Sequence, residues 1–309
     1  MRAKSVLAVV VMLSCSACEP AASDGAATAG RPARAPAPPP LSRPLDLEAV
    51  RRELQQRGLS RVLEPLAKLA QPCLLLQRRD GNAPAAPTSR LGGRPDLPSD
   101  ARWPEWRGKP QSFLAQIRLE ELPAEVVPEL PRRGVLSFFY DSTQAMGGFG
   151  TDGLGCARVL FHEDAAACVP RDPPRSLPRE ARFCEVPMRA ERSLSLPDIS
   201  SAGDEAPELD DADDEAFREL AHEMHWIGAG HQIGGHPLPI QDSAMAASIA
   251  QVLDGDARRA ADWLLLLQLE SDDAAGWMWG DGGALYFWIR RADLAALRFD
   301  RVWMVFECH

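Results

Sequence analysis

Four short patterns occur twice, in the same order, along this 309-residue chain. Gly92-Gly93-Arg94-Pro95 is answered by Gly234-Gly235-His236-Pro237, and Ala115-Gln116-Ile117 by Leu267-Gln268-Leu269. "GVLSFFY" from Gly134 returns as "GALYFWI" from Gly283, and "RVLF" from Arg158 returns as "RVWMVF" from Arg301. Any one pair is weak. Four in series point to an internal duplication, in which each copy of the pattern builds the same local structure. The glycine pair precedes its glutamine by about 23 residues in the first copy and about 33 in the second, so the connections between matched strands have diverged.

The matched segments alternate with period two. Leu136, Phe138 and Tyr140 share one side of a strand, Leu285, Phe287 and Ile289 one side of another, and Val302, Met304, Phe306 and Cys308 one side of a third. The intervening positions are also apolar or aromatic, which predicts sheets covered on both faces. Leu47, Val50 and Leu54 recur at helical spacing behind Asp46 as N-cap, and Gly58 ends that run. Leu59, Val62, Leu63, Leu66 and Leu69 continue as a second amphipathic segment, a third helix is expected from Asp242 to Leu253, and "ADLAAL" from Ala292 is a short helical turn. The fold class is therefore α+β, internally duplicated, with mainly antiparallel sheets and a few packed helices.

The N-terminus opens with Arg2 and Lys4, an apolar run from Val6 to Leu13, and small residues ending in cysteine. This reads as a signal peptide over residues 1–17, too short to span a bilayer. Ser16-Ala17-Cys18 is similar to a bacterial lipobox, with Cys18 as the lipidated residue and Cys15 as the alternative; an ordinary cleaved signal is the competing reading. Residues 18–44 are rich in Ala and Pro with few large apolar side chains, and read as a disordered tether. The remaining 45–309 is taken as one domain of two halves, about 60–200 and 216–309, joined by an acidic linker at 204–215. That linker carries eight acids in twelve residues and fits a solvated connection or a helix start better than a calcium loop. The net charge of -10 and the lack of basic stripes exclude nucleic acid as a partner. Five cysteines follow the signal (Cys73, Cys156, Cys168, Cys184, Cys308); Cys156 could pair with Cys168 or Cys184, or all could be free.

Residues 267–289, "LQLESDDAAGWMWGDGGALYFWI", hold the main candidate site. Asp272, Asp273 and Asp281 can accept hydrogen bonds from turn amides, with Trp277 and Trp279 lying over the core and Met278 filling between them. The alternative is a recognition surface, in which those five Asp and Trp residues bind a basic protein or peptide. His222, His225, His231 and His236 are weak metal candidates, because "HEMH" lacks the spacing of HExxH. No GxSxG elbow is present, and the glycine-rich stretch Gly147 to Gly153 lacks the lysine of a phosphate loop. No catalytic residue and no cofactor is expected.

Residues 92–122, 134–141, 231–241 and 264–308 resemble the YwqG-like family of bacterial proteins, a domain of unknown function, over most of the chain from about residue 60. The resemblance implies an α+β fold built by duplication and carries over no catalytic residue or cofactor. Some members neighbour genes for secreted toxins, which implies an immunity or interaction role by association only. The export signal departs from that family's expected cytoplasmic setting. The expectation is a lipid-anchored protein of the bacterial envelope, a non-enzymatic interaction module, with a metal-dependent envelope hydrolase or a purely structural lipoprotein as alternatives.

Overall fold

The structure, a computed structural model, describes residues 41–79, 88–143, 153–227 and 229–309. The signal peptide, Cys15 and Cys18, the tether up to residue 40 and the glycine-rich stretch up to Asp152 lie outside the described residues.

Five α-helices and fourteen strands follow one another among the described residues. The helices are α1 (Leu47–Gln56), α2 (Leu63–Lys68), α3 (Asp211–His225), α4 (Met245–Asp254) and α5 (Arg291–Ala295). The strands are β1 (Gln71–Arg78), β2 (Arg90–Leu91), β3 (Asp96–Pro98), β4 (Glu105–Trp106), β5 (Lys109–Pro110), β6 (Ser112–Arg118), β7 (Val135–Tyr140) and β8 (Ala157–His162), then β9 (Cys168–Pro170), β10 (Val186–Ser195), β11 (His231–Ile233), β12 (Trp263–Glu270), β13 (Ala284–Arg290) and β14 (Trp303–Glu307). Ten of them form one antiparallel sheet in the order β14-β13-β12-β11-β1-β10-β2-β6-β7-β8. Strands β3 and β9 pair with each other, as do β4 and β5. The large sheet curls until its two ends approach, and Phe161 of β8 meets Phe299, just ahead of β14, at 5.1 Å between ring centroids.

The period-two pattern sorts side chains onto the two faces as its spacing predicts. Leu136, Phe138 and Tyr140 join Leu285, Phe287, Ile289 and Met304 in the largest core cluster, on the inside of the curl. Tyr286, Trp288 and Val305 point the other way, against Met245, Ile249 and Ala250 of α4. Outside the other half, Phe113 and Phe139 pack with Leu97. A third layer joins α1, α2 and α3 through Val50, Leu54, Leu66, Phe217, Leu220 and Met224. Both faces of the sheet are thus covered, which explains why its long strands read as apolar throughout.

Local signals set the helix ends. Asp46 Oδ1 accepts the Ala49 N–H at 2.8 Å, and Gly58 leaves the helix with φ 85°. The acidic run resolves into a cap: Asp210 accepts from Ala212 and Asp213 N–H, and Asp211, Asp213 and Asp214 occupy the first turn of α3, where the helix dipole favours negative charge. Helix α4 begins at Met245, three residues later than expected. Asp242 accepts the Ala244 N–H in the turn ahead of the helix with one carboxylate oxygen, and the hydroxyl of Ser248, within α4, with the other. All five described cysteines are free, so neither pairing of Cys156 exists.

Candidate functional site

Each Gly-Gly-x-Pro segment follows a short strand and is locked by a buried glutamine on a neighbouring one. Gly234 and Gly235 have φ of 68° and 70°. A Cβ at Gly235 would lie 2.3 Å from Ser195 Oγ and 2.8 Å from Cys73 Cβ, so the corner admits only glycine. The turned chain then presents Leu238 to Gln268, whose Oε1 accepts the Leu238 N–H and whose Nε2 donates to the Leu238 carbonyl, both at 3.1 Å.

Gln268 also donates from Nε2 to Glu270 Oε1 at 2.6 Å. That oxygen accepts a second hydrogen bond, at 2.9 Å, from Nε2 of His225 on α3. Glu270 Oε2 receives no hydrogen bond from the described residues. The Glu270 N–H donates to His231 Nδ1 at 3.1 Å, which fixes the tautomer: Nε2 carries the proton and donates to Asp272 Oδ2 at 3.0 Å. Arg78, reaching from β1, donates to the same Asp272 oxygen at 2.9 Å, while Asp272 Oδ1 caps the turn by accepting the Ala275 N–H. Burial opposes the charge on Asp272, but hydrogen bonds from His231, Arg78 and Ala275 outweigh it and hold the carboxyl well below the usual carboxylate range. His225, Glu270, His231 and Asp272 are all buried, so this is an internal polar seam running from α3 to β1.

The turn between β12 and β13 splits the sequence candidates by side. Asp272 and Trp277 bridge through paired backbone hydrogen bonds of 3.1 Å. Trp277 and Trp279 point inward and stack on each other at 5.3 Å, while Met278 between them is 59% exposed. Met278 therefore fills nothing between the rings; a local period of two sends it outward. Asp272 does cap a turn amide. Asp273 and Asp281 are exposed and accept no hydrogen bond from the described residues, contrary to the expectation that all three would. The five residues do not form one surface: three are inside and two outside.

The histidines also separate. His225 bonds Glu270, His231 bonds Asp272, and His236 donates from Nε2 to the Leu69 carbonyl at 2.9 Å, with burial pushing its pKa down. His222 is exposed beside Trp226, its pKa lowered by partial desolvation and then by His225. Among the described residues no three of His, Cys, Asp and Glu are arranged to hold a metal ion.

At its α3 end the seam meets a pocket. A pocket of about 210 Å³ opens between α3 and residues 238–240, walled by Phe217, Ala221, Leu238 and Ile240, with Trp226 at 41% exposure and Glu270 at 3%. Glu270, Gln268 and Arg78 were not singled out as site residues in the sequence. The usable signal was polar: Gln268 and Glu270 are the two polar residues in the strand "WLLLLQLE", every position of which is buried.

Fold and site together define an α+β protein with a ten-strand antiparallel sheet and a carboxylate lining an apolar pocket. Residues 89–308 match the family described as Domain of unknown function (DUF1963), and the chain belongs to that family. No curated protein matches it.

Proposed function

We propose that this protein is a non-enzymatic binding module that holds a basic side chain of a protein partner in the pocket over Glu270. One observation carries the reading: a nearly fully buried carboxylate that lines an apolar pocket has one oxygen tied by His225 and Gln268, while no described residue donates to the other. A pocket of about 210 Å³ is below the roughly 300 Å³ at which sites for drug-sized ligands begin, and suits a single side chain. Trp226 at the pocket offers a ring face to a cation, and the carboxylate a charge-assisted hydrogen bond. The four histidines serve four separate contacts, which favours binding over a metal-dependent hydrolase.

The wider setting is part of the same proposal. Cys18 in its lipobox-like context would anchor the mature chain in the bacterial envelope, with residues 18–44 as a tether and the partner met there. The narrower YwqG-like placement and the duplication within residues 45–309 belong here too. What supports duplication is the equivalence of hydrogen bonds at the two Gly-Gly corners, together with a bulge in each half between matched residues, Phe113/Ala115 and Leu265/Leu267.

The test is binding of the full chain, purified in detergent, to short peptides differing only in one central Lys, Arg, Ala or Glu. Lys and Arg peptides are expected to bind at least tenfold more tightly than Ala, equivalent to about 1.4 kcal/mol, and Glu270→Gln to abolish the preference while the protein keeps its thermal midpoint within a few degrees. A preference that survives Glu270→Gln, or no preference for charge, overturns the reading.

A further inference from the structure

The curled sheet is left open along one line. Its end strands β8 and β14 have no strand partner on their outer edges among the described residues, so each presents backbone N–H and C=O groups there. Every pairing from β14 round to β8 is antiparallel, and across ten strands that makes β8 and β14 run in opposite directions. Phe161, near the end of β8, accordingly meets Phe299, just ahead of β14. Away from that contact the two edges part, and a cavity of about 510 Å³ lies between them, bounded by residues 153–158 on one side and 300–304 on the other. Strand β8 is the more open edge: Val159 is its one buried residue, whereas four of the five in β14 are buried.

Charge in this opening runs against the rest of the chain. In a protein of net charge -10, the described lining holds Arg158, Arg290 and Arg301 and a single acid, Asp300. That acid is already engaged, accepting from Arg298 at 3.0 and 3.1 Å, and lies 3.8 Å from Arg301. Arg290 is tied to Asp254 and lies over the Trp263 ring. Arg158 is exposed and has no hydrogen-bond or ion-pair partner among the described residues. Alternation places these charges on the outer face: Arg158 is in phase with Leu160 of the outer cluster, and Arg290 with Tyr286 and Trp288, while Val159, Phe161 and Met304 belong to the inner core. A single edge arginine guards a sheet against stray pairing. Here three gather around one opening, so a strand that brings negative charge to the outer face is attracted where a basic one is repelled.

We propose that β8 takes an added strand from a protein partner: an extended segment alternating acidic with apolar residues, its acids outward to the three arginines and its apolar side chains inward toward Ala157 and Met304. Because β8 and β14 run in opposite directions, a strand between them is antiparallel to only one. The antiparallel ladder is the more stable, and the more open edge, β8, receives it. This groove shares no lining residue with the pocket at Glu270. The full chain in detergent is titrated, by fluorescence anisotropy, with labelled peptides of about eight residues, enough to span β8. They are alternating Glu and Val, alternating Lys and Val, Glu and Val in two blocks, and the alternating Glu peptide N-methylated throughout, which keeps its charge and removes its donors. The alternating Glu peptide is expected to bind saturably and the others at least tenfold more weakly. Arg158→Glu should weaken binding at least tenfold at an unchanged thermal midpoint, since that side chain is exposed and unpaired, and Glu270→Gln should leave binding as it was. Equal binding of the block or N-methylated peptide would mean that charge alone is read, and unchanged affinity in Arg158→Glu would make Arg158 an edge guard. Either result, or no saturable binding, overturns the proposal. So does a parent chain that sediments as a dimer dissociated by Arg158→Glu, because a second copy would then fill the opening.

Discussion

The corner at β2 and β6 and the corner at β11 and β12 are closed by matching hydrogen bonds. In one, Arg90 donates to the Arg94 carbonyl; in the other, Gln232 donates to the His236 carbonyl. Gln116 accepts the Asp96 N–H and donates to Asp96 Oδ2, where Gln268 accepts the Leu238 N–H and donates to the Leu238 carbonyl. The Arg118 N–H goes to Ser89 Oγ, and the Glu270 N–H to His231 Nδ1. The frame is common and two positions differ in consequence. Serine ends its chain of contacts, whereas histidine has a second ring nitrogen that needs a partner and finds Asp272. Arg118 in the first corner corresponds to Glu270 in the second, the carboxylate at the pocket. The two corners differ in chemistry at a place where the frame needs only one hydrogen-bond acceptor.

The sharpest way to break this comparison is to add a methyl group to each glycine pair. At Gly92 a Cβ would sit 2.1 Å from the Cys184 carbonyl oxygen, which is backbone and cannot step aside; at Gly234 it would meet Val127 Cγ2 at 2.7 Å, a side chain that can turn. With both glycines at positive φ, Gly92→Ala should cost more than about 3 kcal/mol in chemical denaturation and Gly234→Ala about 1–2. Equal losses would mean that the two corners are held alike. The next effect is on the locks themselves. Gln268→Leu strips donors from Glu270 Oε1 and the Leu238 carbonyl and should cost about 3 kcal/mol, exceeding Gln116→Leu, because Asp96 keeps the Arg90 guanidinium at 2.9 Å when Gln116 is lost, whereas Glu270 keeps only His225.

The smallest effect depends on pH and exists only in the second corner. Asp272 has a folded-state pKa depressed below that of the unfolded chain, so its stabilisation is fully present above about pH 4 and is lost as pH falls toward the folded value, where the unfolded state binds the proton first. Comparing Asp272→Asn with the parent from pH 7 to pH 3 by urea unfolding, the gap should be constant down to about pH 5 and then narrow. A gap that stays constant to pH 3 would show that the carboxylate charge is not what His231 and Arg78 hold.

Much of this arrangement was legible in the chain. Alternation at 135–140 and 284–290 announced strands and their faces, since period two is a local property, and Asp46 announced a helix start because a cap acts within one turn. The repeated Gly-Gly-x-Pro and glutamine marked both corners before any pairing was known. The seam was not legible, because its bonds join distant segments: His231 meets Asp272 across 41 positions and Arg78 meets it across 194. The turn at 272–281 was read as one unit, but its side chains alternate, so a cluster in sequence became two faces in space. Asp273 and Asp281 gave no sign of being outside until the bridge between Asp272 and Trp277 fixed which residues turn in.

Strand β1 ends at Arg78, before the family match begins at residue 89, yet it stands in the middle of the sheet, between β10 and β11. A chain begun at the family boundary would contain both Gly-Gly corners and still lack the strand that joins them. Two ladders would be left open in the centre, at β10 and at β11, each offering unpaired N–H and C=O groups to any passing strand. Arg78 would go with it, leaving Asp272 Oδ2 to His231 alone. The sheet is therefore longer than the family match, and a neighbouring copy of the same truncated chain, itself without β1, could fill the gap only by lending another strand edge, which is aggregation.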